Sequence, residues 1–113
     1  MGKLHDVLKE TGYDGHALEH FLVRLLFLEF AEDTAIFERR LFTEFIENRT
    51  HEDGSDIGSR FTELFQVLNT PFDKRLKNLD ENLASFPYVN GKLFAEFLAI
   101  PSFDSKMRDI LLE

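Results

Sequence analysis

The chain has 113 residues, 43% of them apolar, with 21 acidic against 13 basic side chains and no cysteine. That is one domain of ordinary size with enough apolar material for a core, so it need not be disordered, and it excludes disulfides and thiolate metal sites. The formal net charge of −8 has the wrong sign for a domain that grips DNA by its phosphates.

Thirteen phenylalanines and no tryptophan predict a core of rings without polar atoms. No secretory signal is read at Met1-Gly2-Lys3, and a reducing cytoplasm suits the composition. The densest apolar run, Phe21 to Phe30, is broken by Arg24 and Glu29, so it is too short and too charged to cross a bilayer.

Helical periodicity dominates. Lys3 to Glu10 reads as a short first helix with Leu4, Val7 and Leu8 on one side, stopped at Gly12. A second helix runs from about Asp14 to Asp33. Leu18, Phe21, Leu22, Leu25, Leu26 and Phe30 form its stripe, and Val23, Phe27 and Leu28 widen it until the helix reads as a buried spine. A third helix fits Glu38 to Arg49, with Phe37, Leu41, Phe42, Phe45 and Ile46 inward. Asp56 caps a fourth, in which Ile57, Phe61, Leu64, Phe65 and Leu68 recur at helical spacing.

Beyond Asn69 the pattern weakens. Thr70-Pro71-Phe72-Asp73 predicts a single helical turn, and Asn78-Leu79-Asp80-Glu81 has capping-box spacing for a short helix ending before Phe86-Pro87. The Asn90-Gly91 turn, flanked by Tyr88-Val89 and Leu93-Phe94, allows one small β-hairpin near residues 88–94. Ser102 is the predicted cap of a last helix carrying Phe103, Met107, Ile110 and Leu111. The fold class is mainly α: a compact helical bundle of four main helices plus short ones. The apolar pair Leu111-Leu112 near the chain end predicts a fragment of a longer protein.

Four stretches could carry chemistry. His16-Ala17-Leu18-Glu19-His20 has the H-x-x-E-H spacing that places two zinc-binding histidines on one helical face with a glutamate as general base. This gives an alternative reading, a zinc-dependent hydrolase using His16, Glu19 and His20. Such peptidases are built on larger domains, and a helix opening explains Glu19 equally well through the helix dipole. Glu32-Asp33 is a carboxylate pair at a helix end, for which a solvated helix end or a salt bridge to a neighbour such as Arg39 or Arg40 is the simpler expectation over a metal. His51 to Asp56 lacks the ligand order of a calcium loop. Phe86 to Gly91 has its proline and asparagine in the wrong order for a base-flipping methyltransferase loop. With no G-x-G loop, P-loop, G-x-S-x-G elbow or nuclease pair, no catalytic, cofactor-binding or metal-binding residue is assigned.

The whole-chain pattern is more informative. Leu25-Leu26-Phe27-Leu28-Glu29-Phe30-Ala31-Glu32-Asp33-Thr34-Ala35-Ile36-Phe37, Glu52-Asp53-Gly54-Ser55-Asp56-Ile57-Gly58, Phe65-Gln66-Val67-Leu68-Asn69 and Phe86-Pro87-Tyr88-Val89-Asn90-Gly91-Lys92-Leu93-Phe94 occur in that order. The series resembles the helical spacer region of MmeI-like type IIL restriction–modification enzymes and related large bacterial N6-adenine DNA methyltransferases. It covers the chain from about Leu4 to Leu112.

The resemblance implies that residues 1–113 form a single helical spacer domain of a larger multidomain protein. The parent would carry a nuclease, an adenine methyltransferase using S-adenosylmethionine, a target-recognition domain and a requirement for magnesium. This segment would be a connector, with no catalysis and no cofactor of its own. Its partners would be the neighbouring nuclease and methyltransferase domains; DNA would be reached through the parent, and no membrane is involved. The motif residues Phe30, Glu32, Asp33, Thr34, Asp53, Gly54, Asp56, Pro87, Tyr88, Asn90 and Gly91 would serve structure. Family members often have glycine where this chain has Ala35 and Lys92. Phe94, Phe97 and the last helix would face the absent domains. A further alternative, an acidic interaction module mimicking DNA, requires carboxylates aligned on one exposed face. Arg39, Arg40 and Arg49 interspersed among Glu38, Glu44 and Glu47 argue against that.

Overall fold

Six α-helices and one 3₁₀ turn carry residues 2–89 and 91–112, which the computed structural model describes. They are α1 (Gly2–Glu10), α2 (Gly15–Asp33), α3 (Leu41–Arg49), α4 (Ile57–Leu68), the 3₁₀ turn Phe72–Lys74, α5 (Glu81–Ala84) and α6 (Ser105–Leu112). The mainly-α reading holds. The hairpin near 88–94 does not: no strand occurs among the described residues, although Asn90 lies outside them. The reason is that the flanking segments are tied to other elements. The Val89 amide donates to the Leu68 carbonyl at the end of α4 (2.8 Å). Phe94 is buried against Phe65, with ring centroids 5.3 Å apart.

Gly12 ends α1 with φ +94°, and the Tyr13 amide returns to the Leu8 carbonyl. α1 packs on α2 and α6, while α3 touches α2, α5 and α6. Phenyl rings bridge α2 and α4. Phe21 meets Phe61, Phe65 and Phe103 edge-on at 5.5, 6.3 and 6.0 Å, and Phe86 meets Phe37 and Phe45 at 5.2 and 5.8 Å. These are the offset and T-shaped geometries that aromatic quadrupoles favour. The resulting radius of gyration, 13.6 Å, is that of a fully folded chain of this length.

Three local expectations need correction. α2 is not buried all round: Val23, Leu26 and Phe30 are 51%, 51% and 57% exposed, while Arg24 is 2% exposed and lies inside. α3 begins at Leu41, not Glu38, because Arg40 sits in the left-handed region (φ +60°) and residues 38–40 form a turn. The caps of α5 and α6 are Asp80 and Asp104, not Asn78 and Ser102. Each carboxylate accepts a first-turn amide, from Asn82 (2.8 Å) and Met107 (2.9 Å).

Candidate functional site

Polar side chains in and beside the motif blocks fasten one helix to the next. Three of the four motif blocks reach a connection between helices, and the fourth, Phe65-Gln66-Val67-Leu68-Asn69, forms the end of α4. At the first joint, Thr34 closes α2 by donating its amide and hydroxyl to the Phe30 carbonyl. Phe37 reaches back to the Ala31 carbonyl, and Ala35 between them has φ +64°. Glu32 then starts the next helix: its carboxylate accepts the Thr43 amide (2.8 Å) and hydroxyl (2.6 Å) in the first turn of α3. A cap supplied from eleven residues upstream satisfies an orphan helix donor and puts negative charge at the dipole's positive end. Of the two expectations for the carboxylate pair, Asp33 takes the solvated helix end, exposed at the last position of α2, while Arg40 pairs with Glu47 (3.0 Å).

At the second joint, Asp53 accepts the Ser55 amide (3.0 Å), and that bond and the Ser55 hydroxyl hold its carboxyl below the usual range. Asp56 accepts the His51 amide (2.8 Å) across the loop and faces Arg60 (3.9 Å). Gly54 is buried with φ +73°, and a Cβ there would stand 2.4 Å from the Asp104 carbonyl oxygen. The loop before α4 is thus pressed onto the residue that caps α6. Arg108 of α6 completes the clamp, donating to the Thr50 hydroxyl (3.0 Å) and to the Ile46 and Glu47 carbonyls at the end of α3.

At the third joint, Arg75 gathers the irregular region between α4 and α5. Its guanidinium donates to the carbonyls of Thr70 (3.0 Å), Val67 (2.8 Å) and Phe86 (2.7 Å), next to Pro87. Burial lowers its pKa without removing its charge at neutral pH. Pro87 and Tyr88 are half-buried, and Gly91 is exposed with φ +133°. The motif residue Asn90 lies outside the described residues.

Sequence reasoning missed Arg24. Its guanidinium lies over the Phe65 and Phe94 rings (4.9 and 5.4 Å to the centroids) and donates to the Glu96 carbonyl (2.8 Å). Its Nε finds no acceptor among the described residues. Burial lowers its pKa, offset in part by Tyr13 and Glu96. Tyr13 in turn donates to the Ala99 carbonyl (2.7 Å), so two polar groups pin the irregular 94–102 segment. The only sequence signal was a lone arginine inside an apolar run. Phe94, expected to face absent domains, is core; Phe97 is 93% exposed.

His16 and His20 stand side by side on α2 with ring centroids 5.7 Å apart. His16 and Glu19 are exposed and His20 is half-buried. The described residues bring no group of three His, Asp or Glu side chains together as a metal cage. No helix among them is long and apolar enough to cross a membrane. Carboxylates expected on a DNA-mimicking face are partly engaged in ion pairs, Asp80 with Arg49 (3.2 Å) and Glu63 with Arg60 (3.2 Å).

A family model described as "MmeI, helicase spacer domain" matches residues 16–94. The chain belongs to the MmeI helicase-spacer family. A solved structure of the type IIL restriction–modification enzyme MmeI in complex with DNA superposes with a TM-score of 0.95 at 65% identity, over 98% of this chain and 15% of that one. DNA methyltransferase A of Bacillus subtilis is 41% identical over 100% of this chain and 13% of its own length. A putative type II restriction enzyme and methyltransferase of Methanocaldococcus jannaschii is 36% identical over 63% of this chain and 6% of its own. The spacer chain therefore spans a small fraction of the relatives it matches.

Proposed function

We propose that this chain is one module, residues 1–113, of a longer DNA-acting protein, and that it holds a nuclease and an adenine methyltransferase at a fixed separation. The observation that carries the reading is the three-joint construction. Glu32, Gly54 with Arg108, and Arg75 fasten the helix connections to remote backbone, which supports a rigid body over a hinge. The longer protein would use S-adenosylmethionine and magnesium in its other domains and work in the cytoplasm. The spacer would supply neither cofactor site, and its acidic surface would leave the DNA grip to those domains.

The test is to replace the spacer in the longer protein by a flexible glycine–serine linker. The domain's longest extent is 40 Å, a span that a linker of about 50 residues matches in its mean end-to-end distance. Methylation of the target adenine should persist while cleavage slows and its positions scatter. Unchanged rates of both, with cuts at unchanged positions, would refute the connector role.

A further inference from the structure

We propose that the outward seam of α2 docks an amphipathic helix from a neighbouring domain, apolar at its centre and basic towards its ends. The proposal rests on the connector reading and says which face does the connecting. His16, Glu19, Val23, Leu26, Phe30 and Asp33 follow one another in alternating steps of three and four residues. That is the spacing by which one helix receives knobs from another. All six are exposed, whereas the core face of α2 is built from Leu18, Phe21, Leu25, Leu28 and Ala31. The helix therefore carries a second, independent stripe, and its three middle members are each more than half exposed. Beside the N-terminal half of the seam, His16, Glu19, His20 and Val23 with Lys92 and Leu93 line a hollow of about 420 Å³, room for an incoming side chain.

Charge chooses the occupant. Acidic residues bracket the apolar centre, Glu19 on one side and Asp33 on the other. A second copy laid antiparallel would set Glu19 against Asp33 of its mate, within a pair of chains that each carry −8. A helix with Lys or Arg flanking an apolar middle meets Asp33 at one end and, at the other, Glu19 and Glu96, two carboxylates against the one ammonium of Lys92. The relatives supply the room for such a helix, since this segment is 13% of one and 15% of another.

The absence of cysteine makes the seam directly measurable. Leu26→Cys is placed in the 113-residue chain and in the longer protein, and maleimide labelling is followed on the peptide that contains position 26. Docking predicts labelling about tenfold or more slower in the longer protein than in the isolated chain. Val23→Cys, one seam position away, should behave the same way and guards against a local effect of the first substitution. Equal labelling rates in both proteins would mean that the seam is open, which overturns the docking proposal but leaves the connector reading standing. Protection in the isolated chain together with a dimer in sedimentation would make the occupant a second copy, which also overturns it. Failure of the connector reading shows separately, as activity indifferent to the linker replacement.

Discussion

Replacing Gly54 by alanine isolates the contact on which the second joint depends, because Gly12 provides an internal control. Both glycines have positive φ, +73° and +94°, so alanine at either position carries roughly 1 kcal/mol of left-handed strain. They differ in surroundings. A Cβ at Gly12 meets nothing within 4 Å, whereas at Gly54 it would lie 2.4 Å from the Asp104 carbonyl oxygen and 2.6 Å from its carbon. That is about 1 Å inside van der Waals contact, and the obstacle is backbone. The start of α6 must move away, which loosens the Asp104 cap on Met107, worth about 1 kcal/mol. It also loosens the Arg108 hydrogen bonds to the end of α3, worth about another 1 kcal/mol. Gly54→Ala should therefore cost about 3 kcal/mol and Gly12→Ala about 1 kcal/mol. With a urea dependence of ~1.5 kcal/mol per molar, the midpoints should fall by about 2 M and about 0.7 M. Equal midpoint shifts for the two variants would refute the claim that the loop–α6 contact is a structural clamp.

The first joint makes the opposite prediction at Ala35: with φ +64°, Ala35→Gly should raise stability by about 0.5 kcal/mol, the relief of left-handed strain less the glycine entropy, seen as a higher urea midpoint. Glu32→Ala should lose about 1–2 kcal/mol with the Thr43 amide and hydroxyl bonds, and Glu32→Gln should recover much of it because an amide oxygen can still accept from Thr43. For Arg24, truncation to alanine should cost about 3 kcal/mol through the cavity between Phe65 and Phe94, whereas Arg24→Met, which fills the space without a buried charge, should cost less than about 1 kcal/mol. Glu29 tests the acidic end of α2. Its pKa is raised above 4.5 by burial and by its neighbours Asp33 and Glu32, so the folded state holds its proton more tightly than the unfolded chain. The stability it contributes is present below 4.5 and is lost as pH rises through the folded value. Glu29→Gln should therefore raise the melting temperature at pH 7 but not at pH 4, by a small amount, because the side chain keeps contact with solvent.

What the sequence made legible, and what it hid, follows the range of the forces involved. Helix existence is a short-range property. The stripes Ile57–Phe61–Leu64–Phe65–Leu68 and Leu41–Phe42–Phe45–Ile46 came out buried as spaced because burial of one face dominates the energy of such segments. The joints are long-range. Nothing local marks Thr43 as the target of Glu32, or Asp104 as the neighbour of Gly54, so local signals alone start α3 three residues too early and cap α5 and α6 two residues too early. The hairpin failed for the same cause: the Val89 amide was committed to Leu68, at the end of α4, and a turn signal cannot override a partner that folding brings from elsewhere. On α2 the periodicity marks the helix but not which of its faces is buried. Two apolar stripes on one helix look, in sequence, like a helix buried on all sides, and only the position of Arg24 distinguishes them. With Arg24 turned inward beside Phe65 and Phe94, Val23, Leu26 and Phe30 are left facing water. An isolated domain gains nothing from keeping three large apolar side chains there, whereas a module that meets another helix does. The histidines and glutamate that suggested a zinc site stand at the head of that same stripe, where they border the hollow beside Val23.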